Sequence, residues 1–269
     1  MSEGPDGEGR LAATFQRLQA TRRCALIPYI TAGDPAAGPT VDVMEMLVDA
    51  GADVLELGIP FSDPLADGPT IQAAAWRALG VGVDVARVLD WTSEFSGLSD
   101  TPVVLFTYLN PVLRYGPQRF VRDARASGAA GLLITDLPLG EDTELEVTLA
   151  SGGLDLVRLL APTTPESRAG LILDAAQGFI YYISRTGVTG EREQLRRELA
   201  PEVEALRRRT DLPIAVGFGI SSPDQAQAVA SVADGVVVGS ALVRTLAEEG
   251  VDSAGQLARR LRIAIDAAT

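Results

Sequence analysis

The hydrophobic positions along the chain alternate between short apolar runs and longer segments with one apolar face. Residues 24–30 form a continuous apolar run, and residues 41–50 carry apolar side chains at helical spacing before Gly51. Continuous runs predict strands covered on both faces, whereas helical spacing predicts helices with one buried face. The predicted strands are residues 24–30, 53–57, 102–108, 130–134, 154–160, 179–183, 213–217 and 235–238.

Amphipathic segments follow these strands, and one more precedes the first strand. The predicted helices are residues 11–18, 41–50, 70–79, 85–95, 118–126, 143–149, 165–176, 194–209, 223–229, 241–248 and 253–267. Eight strand–helix units in 269 residues predict a single (β/α)8 TIM barrel with an extra N-terminal helix. A doubly wound open sheet is the alternative, but the glycine fingerprint of a dinucleotide site is absent after the first strand. Residues 1–9 are expected to be a disordered tail, and residues 10–269 the catalytic domain.

The charge balance restricts the class of partner. The net charge is −13 and the pI is near 4.5, which disfavours binding to nucleic acid or to an anionic membrane surface. The acidic, glycine-rich N-terminus resembles neither a signal peptide nor a transit peptide, and no long apolar run predicts a membrane span. We therefore expect a cytoplasmic protein that acts on a small molecule.

The residue types that the chain lacks restrict its chemistry further. It has no His, all 23 cationic residues are Arg, and Cys24 is the single cysteine. These absences exclude a Schiff-base lysine, a histidine-dependent triad, a His-ligated metal site and a disulfide. Acid–base chemistry must therefore be carried by Asp, Glu or Tyr.

The segment from Leu55 to Gln72 places two carboxylates in unusual positions. Glu56 lies in an apolar strand, where an ionised carboxylate is costly, and Asp67 follows a loop rich in Gly and Pro. Both are candidate catalytic residues. The alternatives are that backbone donors hold Glu56 as a buried structural group, and that Asp67 caps the following helix.

Glycines follow the sixth, seventh and eighth predicted strands, in segments 184–190, 217–221 and 239–241. Glycine allows backbone N–H groups to approach an anion, and barrels often bind phosphate between the last two strand ends. We therefore predict a phosphate site here, with ordinary tight turns as the alternative. Apolar side chains in the last residues of a strand, or in the segment after it, predict an adjoining site for a flat apolar group, although each could instead serve core packing. They are Tyr29, Ile71, Phe106, Tyr108, Tyr181 and Phe218.

Several of these segments together resemble the alpha subunit of tryptophan synthase. The matching segments are 28–35, 55–72, 107–111, 161–165, 184–190, 217–221 and 235–242, and the string Leu-Gly-Ile-Pro-Phe-Ser-Asp-Pro-Leu-Ala-Asp-Gly-Pro is the most specific. The resemblance implies a (β/α)8 barrel that cleaves indole-3-glycerol phosphate to indole and D-glyceraldehyde 3-phosphate. It also implies a beta subunit as partner in an α2β2 heterotetramer. Pyridoxal phosphate is then expected in that beta subunit, and no cofactor in this chain.

The resemblance also implies roles for individual residues. Glu56 becomes the general acid/base, with an elevated pKa, and Asp67 becomes a second, ionised carboxylate that accepts from the indole N1–H. Tyr181 is expected to orient the site, and Asp136 to take part in coupling between subunits. Phe106 and Phe218 would flank the indole, and the phosphate-binding positions are Gly190, Gly219, Gly239 and Ser240.

The chain departs from the pattern of this family at two positions. Thr135 stands where the family commonly has Pro, and Glu191 stands where small residues are common. Loops 58–68 and 184–192 are expected to close over the substrate. Two other functions remain as alternatives, namely a stand-alone lyase that releases indole and a catalytically silent subunit that activates the beta partner.

Overall fold

A computed structural model describes residues 9–35, 40–183, 192–217 and 219–268 of the chain. Its strands are β1 (Ala25–Thr31), β2 (Leu55–Gly58), β3 (Val103–Thr107), β4 (Gly131–Ile134), β5 (Asp155–Leu156), β6 (Arg158–Leu160), β7 (Ile180–Ile183), β8 (Ile214–Gly217) and β9 (Gly235–Val238). All pairings are parallel, and the strand order is β5-β4-β3-β2-β1-β9-β8-β7-β6. The disordered tail predicted for residues 1–9 falls, apart from Gly9, outside the described residues.

The two ends of this sheet are halves of one barrel strand. The sequence predicts a continuous strand over residues 154–160, whereas the structure divides it at Val157 into β5 and β6. The division arises because β5 pairs with β4 and β6 pairs with β7. The N–H of Val157 donates to the Leu132 carbonyl at 2.9 Å, and the Gln177 side chain accepts from Leu156 N–H at 3.0 Å. This strand therefore joins both edges and closes the predicted eight-stranded barrel.

Helices cover the outside of the barrel. They are α1 (Arg10–Ala20), α2 (Thr40–Asp49), α3 (Pro69–Gly80), α4 (Val85–Ser96), α5 (Leu109–Tyr115), α6 (Pro117–Ala126), α7 (Thr143–Ala150), α8 (Glu166–Ala175), α9 (Arg192–Arg207), α10 (Pro223–Ala230), α11 (Ser240–Glu249) and α12 (Val251–Asp266). Helix α5 is not among the helices predicted from the sequence. This short helix contains Pro111, which is tolerated in the first turn because the N–H groups there lack intrahelical acceptors.

The extra N-terminal helix closes one end of the barrel. Leu11, Phe15 and Leu18 recur at helical spacing on α1 and are buried among inward-facing strand residues such as Ile27. The ring centroids of Phe15 and Phe179 are 5.6 Å apart. Since α1 covers this end, the opposite end, where the strands terminate, is left for a ligand.

A buried ion pair connects the last helix to the first two strands. Arg262 of α12 donates to the Asp53 carboxylate at 3.0 Å, and the same carboxylate accepts from Leu26 N–H at 3.0 Å. Cys24 is buried, and burial raises the pKa of its thiol. None of the helices in the described ranges combines the length and apolar character needed to cross a bilayer.

Candidate active site

A cavity of about 390 Å3 lies at the carboxyl ends of the strands, where a (β/α)8 barrel carries its chemistry. Most of the predicted site residues meet there. The wall includes Tyr29, Glu56, Asp67, Ile71, Phe106, Tyr181, Gly219, Gly239 and Ser240. Residues that are distant in sequence therefore converge on a single cavity, as expected for a binding site.

The remaining predicted residues lie elsewhere. Tyr108 stands beside the wall, and its hydroxyl accepts from Ala66 N–H at 3.0 Å. Asp136 is exposed and accepts from Leu109 N–H at 2.6 Å, at the start of α5. Gly190 and Phe218, and with them the predicted loop 184–192 up to residue 191, lie outside the described residues.

Glu56 is fully buried, with 0% of its surface exposed. It lies on β2 between Tyr29 of β1 and Val104 of β3, and its side chain reaches the cavity wall. Neither carboxyl oxygen has a hydrogen-bond partner among the described residues, so backbone donors there do not hold the group. Burial raises the pKa of Glu56 to about 8. The side chain is therefore mostly protonated near neutral pH and can donate a proton.

Asp67 occupies a turn just before α3. Its N–H donates to the Pro64 carbonyl at 3.0 Å, and its carbonyl accepts from the Gln72 side chain at 2.9 Å. The N-cap of α3 is Gly68, so the carboxylate of Asp67 does not cap the helix. Burial raises its pKa to about 6, and a hydrogen bond from Tyr108 opposes the rise. At pH 7 roughly nine-tenths of the molecules keep Asp67 ionised.

Two tyrosines line the cavity and fit against glycines of the neighbouring strand. The hydroxyl of Tyr29 lies against Gly58, and the hydroxyl of Tyr181 lies against Gly217. A methyl group at either glycine would collide with the facing phenol, so each glycine creates the space that a tyrosine fills. Burial raises the pKa of both tyrosines, which keeps their hydroxyls neutral.

The apolar wall is organised around Tyr29. Its ring meets the ring of Phe106 edge to face, with centroids 5.2 Å apart and an interplanar angle of 78°. Ile71 of α3 belongs to the same buried cluster. This wall adjoins the two carboxylates, so the cavity can hold a flat apolar group beside its acid–base residues.

The other side of the cavity presents backbone donors. Gly219 has a φ of +75°, and Gly239 precedes Ser240, the first residue of α11. Among the described residues no side chain caps the start of α11, whereas the neighbouring helix α10 has a capping box formed by Ser222 and Gln225. The first N–H groups of α11 thus remain available to an anion, and the helix dipole favours negative charge there.

The cavity wall also contains residues that the sequence pattern did not predict. They are Ala66, Gly68, Thr135, Leu159, Ile183, Ile220, Ser221, Val237, Ala241 and Arg244. Thr135, noted above as a departure from the family, reaches this wall and donates to the Thr107 carbonyl at 3.4 Å. The spacing could have indicated Arg244, because it lies four residues after Ser240. A helix places residues at this spacing on the same face.

Comparison with known proteins identifies the family. A family model described as tryptophan synthase alpha chain matches residues 15–267. The chain belongs to this family. It is 50% identical over 248 residues to the tryptophan synthase alpha chain of Gluconacetobacter diazotrophicus, covering 92% of this chain and 90% of the relative. A second relative, from Synechococcus sp. strain CC9902, is 47% identical and covers 95% of this chain and 97% of its own length.

Solved structures agree with this assignment. The crystal structure of tryptophan synthase subunit alpha from Legionella pneumophila strain Paris is 39% identical, with a TM-score of 0.89. The match covers 97% of this chain and 99% of that structure. As a tryptophan synthase alpha chain, the protein is a carbon–carbon lyase of tryptophan biosynthesis that cleaves indole-3-glycerol phosphate to indole and D-glyceraldehyde 3-phosphate.

Proposed function

We propose that the cleavage takes place in this cavity, with Glu56 as general acid/base and Asp67 as the second catalytic carboxylate. The observation that carries the proposal is the fully buried Glu56 carboxyl, which has no partner among the described residues and reaches the same cavity as Asp67. Burying a polar group without a hydrogen-bond partner costs free energy. A catalytic role explains why the fold keeps the Glu56 carboxyl in this position despite that cost.

The protonated carboxyl of Glu56 donates its proton to C3 of the indole, and the positive charge of the resulting cation is centred on N1. The carboxylate then accepts the proton of the C3′ hydroxyl of the glyceryl chain. The bond between the indole C3 and C3′ breaks, its electron pair restores the aromatic indole, and C3′ becomes the aldehyde carbon. One residue can serve both steps because its pKa of about 8 lies near the working pH.

Asp67 stabilises the charge that develops during this step. Its ionised carboxylate accepts a hydrogen bond from N1–H, and this bond strengthens as N1 becomes positive. The lower pKa of Asp67, about 6 against about 8 for Glu56, supports an ionised role for Asp67 and a proton-donating role for Glu56. Tyr181 packs beside them and helps to orient the indole.

Replacement of Asp67 by Asn is expected to lower kcat for indole release by roughly 10²-fold, since a neutral amide stabilises a cationic indole poorly. Stopped-flow detection of indole would measure this. Asp90→Asn serves as the control, because it removes a carboxylate charge at an exposed position of α4 that does not line the cavity. Activity of Asp67→Asn equal to that of the control would contradict the assigned role.

The phosphate group of the substrate is assigned to Gly219, Gly239 and Ser240, together with Gly190. The support is the uncapped start of α11 beside the cavity. Backbone N–H groups at a helix N-terminus bind phosphate without needing a cationic side chain. Phe106 and Phe218 are assigned to the faces of the indole ring.

The variant Ser240→Asp is expected to raise KM for indole-3-glycerol phosphate at least about tenfold, because a carboxylate next to the phosphate repels it. Steady-state kinetics would measure KM and kcat separately. Ser93→Asp adds the same charge on the exposed face of α4 and is the matched control. If KM were unchanged in Ser240→Asp, the anion would have to bind elsewhere.

The family assignment supports a tryptophan synthase beta subunit as partner, and we extend this to an α2β2 heterotetramer. Pyridoxal phosphate belongs in this proposal to the beta subunit, and the alpha chain uses side chains alone. Asp136 is assigned to coupling between the subunits because it is exposed and fixes the start of α5. The proposal also places residues 10–269 in one catalytic domain after a tail of residues 1–9, and the protein in the cytoplasm.

One experiment separates the proposed function from its alternatives. Indole release would be measured in a single turnover, first with the isolated chain and then with a purified beta subunit, while size-exclusion chromatography reports complex formation. A lyase subunit binds the beta subunit and releases indole in its presence. A stand-alone lyase releases indole without forming a complex, and a silent activating subunit forms the complex without releasing indole.

A further inference from the structure

Few side chains of the cavity wall can attract an anionic substrate. Among the described residues that line the cavity, Glu56 and Asp67 are acidic and Arg244 is the single cationic side chain. The whole chain carries a net charge of −13. Glu56 is mostly protonated near neutral pH, so a phosphate dianion approaching this cavity meets the negative charge of Asp67 and of the chain as a whole. Among the described wall residues, Arg244 and the backbone donors of α11 are the groups that attract it.

Arg244 is placed next to those donors. It lies one helical turn after Ser240 on α11, so both residues share one face of the helix. Long helical side chains lean back toward the N-terminus, which directs the guanidinium toward the first turn, where the phosphate is assigned. The exposure of Arg244 and its position at the cavity wall give the guanidinium room to reach an anion at the mouth.

The guanidinium is also available for a ligand. Other arginines are engaged with carboxylates, as Arg77 is with Asp34 at 2.6 Å and Arg262 with Asp53 at 3.0 Å. In the part of the chain that the structure describes, Arg244 makes neither an ion pair nor a hydrogen bond. Binding a ligand would thus not require an existing ion pair to break.

We propose that Arg244 is a specificity-determining residue. It pairs with the substrate phosphate and selects the phosphorylated substrate over the same compound without its phosphate group. This inference rests on the proposed phosphate site at the start of α11. Backbone N–H groups position the phosphate, and Arg244 supplies the full positive charge that they lack. A guanidinium suits this role because its planar N–H groups can bind two phosphate oxygens at once. A solvated surface arginine without a role in binding is the competing interpretation.

The reverse condensation offers a direct test, because indole can be paired with either D-glyceraldehyde 3-phosphate or D-glyceraldehyde. The ratio of kcat/KM for these two aldehydes measures phosphate selection and is insensitive to a general loss of folded enzyme. The assays would use the complex with the beta subunit. The variants are Arg244→Gln, Arg244→Lys and, as a control, Arg260→Gln, which lies at an exposed position of α12.

Arg244→Gln is expected to lower this ratio about tenfold, the usual effect of losing one charge-assisted hydrogen bond to a partly solvated anion. Arg244→Lys should retain part of the preference, and Arg260→Gln should leave it unchanged. The KM for D-glyceraldehyde 3-phosphate should rise with salt concentration in both proteins, and the rise should be steeper for the wild type than for Arg244→Gln.

The outcomes separate this proposal from the phosphate site on which it rests. An unchanged ratio in Arg244→Gln, combined with a lowered ratio in Ser240→Asp, would overturn the role of Arg244 and leave the phosphate site in place. An unchanged ratio in both variants would overturn both. A lowered ratio in Arg244→Gln together with an equal loss in Arg260→Gln would also overturn the proposal, because the effect would then be one of net charge.

Discussion

The variant Glu56→Gln is expected to reduce kcat for indole release by about 10²–10⁴-fold, the usual contribution of a positioned acid/base group. Glutamine has nearly the same shape and remains neutral, as Glu56 mostly is at pH 7, but it cannot donate a proton to the indole C3. Substrate binding and association with the beta subunit should therefore persist, and the loss should fall on kcat.

Single-turnover kinetics and a ligand-binding titration would separate the effect on kcat from the effect on binding. Glu94→Gln, at an exposed position of α4, is the control.

The pH profile of the wild type adds a second readout. Activity should decline above about pH 8, where Glu56 loses its proton, and below about pH 6, where Asp67 gains one. Near-normal turnover in Glu56→Gln would refute the assignment.

The same substitution is expected to stabilise the fold, and increasingly so as the pH rises. Glu56 has its ordinary pKa of 4.5 when unfolded and a pKa of about 8 when folded. Between these two values the folded chain keeps a proton that the unfolded chain releases. The free energy of unfolding of the wild type is therefore highest below pH 4.5, and it decreases as the pH rises to about 8. By this linkage the wild type loses about 3 kcal/mol of its free energy of unfolding between acidic pH and pH 7. Glutamine does not titrate, so the variant avoids this loss.

Urea unfolding at pH 5 and at pH 8 would measure the free energy of unfolding of both proteins. The gain of Glu56→Gln over the wild type should be larger at pH 8, while Glu94→Gln should show the same difference from the wild type at both values. A gain that did not change with pH would mean that the pKa of Glu56 is not raised in the folded protein. The expected result is a less active but more stable enzyme, as is common for catalytic groups buried at a cost.

The sequence was sufficient for the parts of the fold that depend on local pattern. Gly235–Val238 forms a strand with the predicted bounds, because a short apolar run between turn residues has few other structures available. Glu56 and Asp67 could be selected for a similar reason. A carboxylate in an apolar strand, and another in a loop rich in Gly and Pro, are unusual whatever surrounds them.

The features that the sequence did not predict depend on which elements become neighbours. The division of a strand at Val157 follows from its change of partner around the closed barrel. Helix α5 starts where Asp136, from the next barrel unit, accepts the Leu109 N–H. Helical spacing places Arg244 on the same face as Ser240, but whether that face meets the cavity depends on how α11 packs on the barrel. None of these relations is visible in a single stretch of sequence.

The fit of Tyr29 against Gly58 and of Tyr181 against Gly217 limits how this cavity can change during evolution or engineering. Each phenol occupies a space that exists because the facing residue has no side chain, so neither member of a pair can be enlarged alone. Moving bulk from one strand to the next, by enlarging the glycine and trimming the facing tyrosine, would require exchanges made in pairs across adjacent strands. Libraries that vary one position at a time would pass over such solutions.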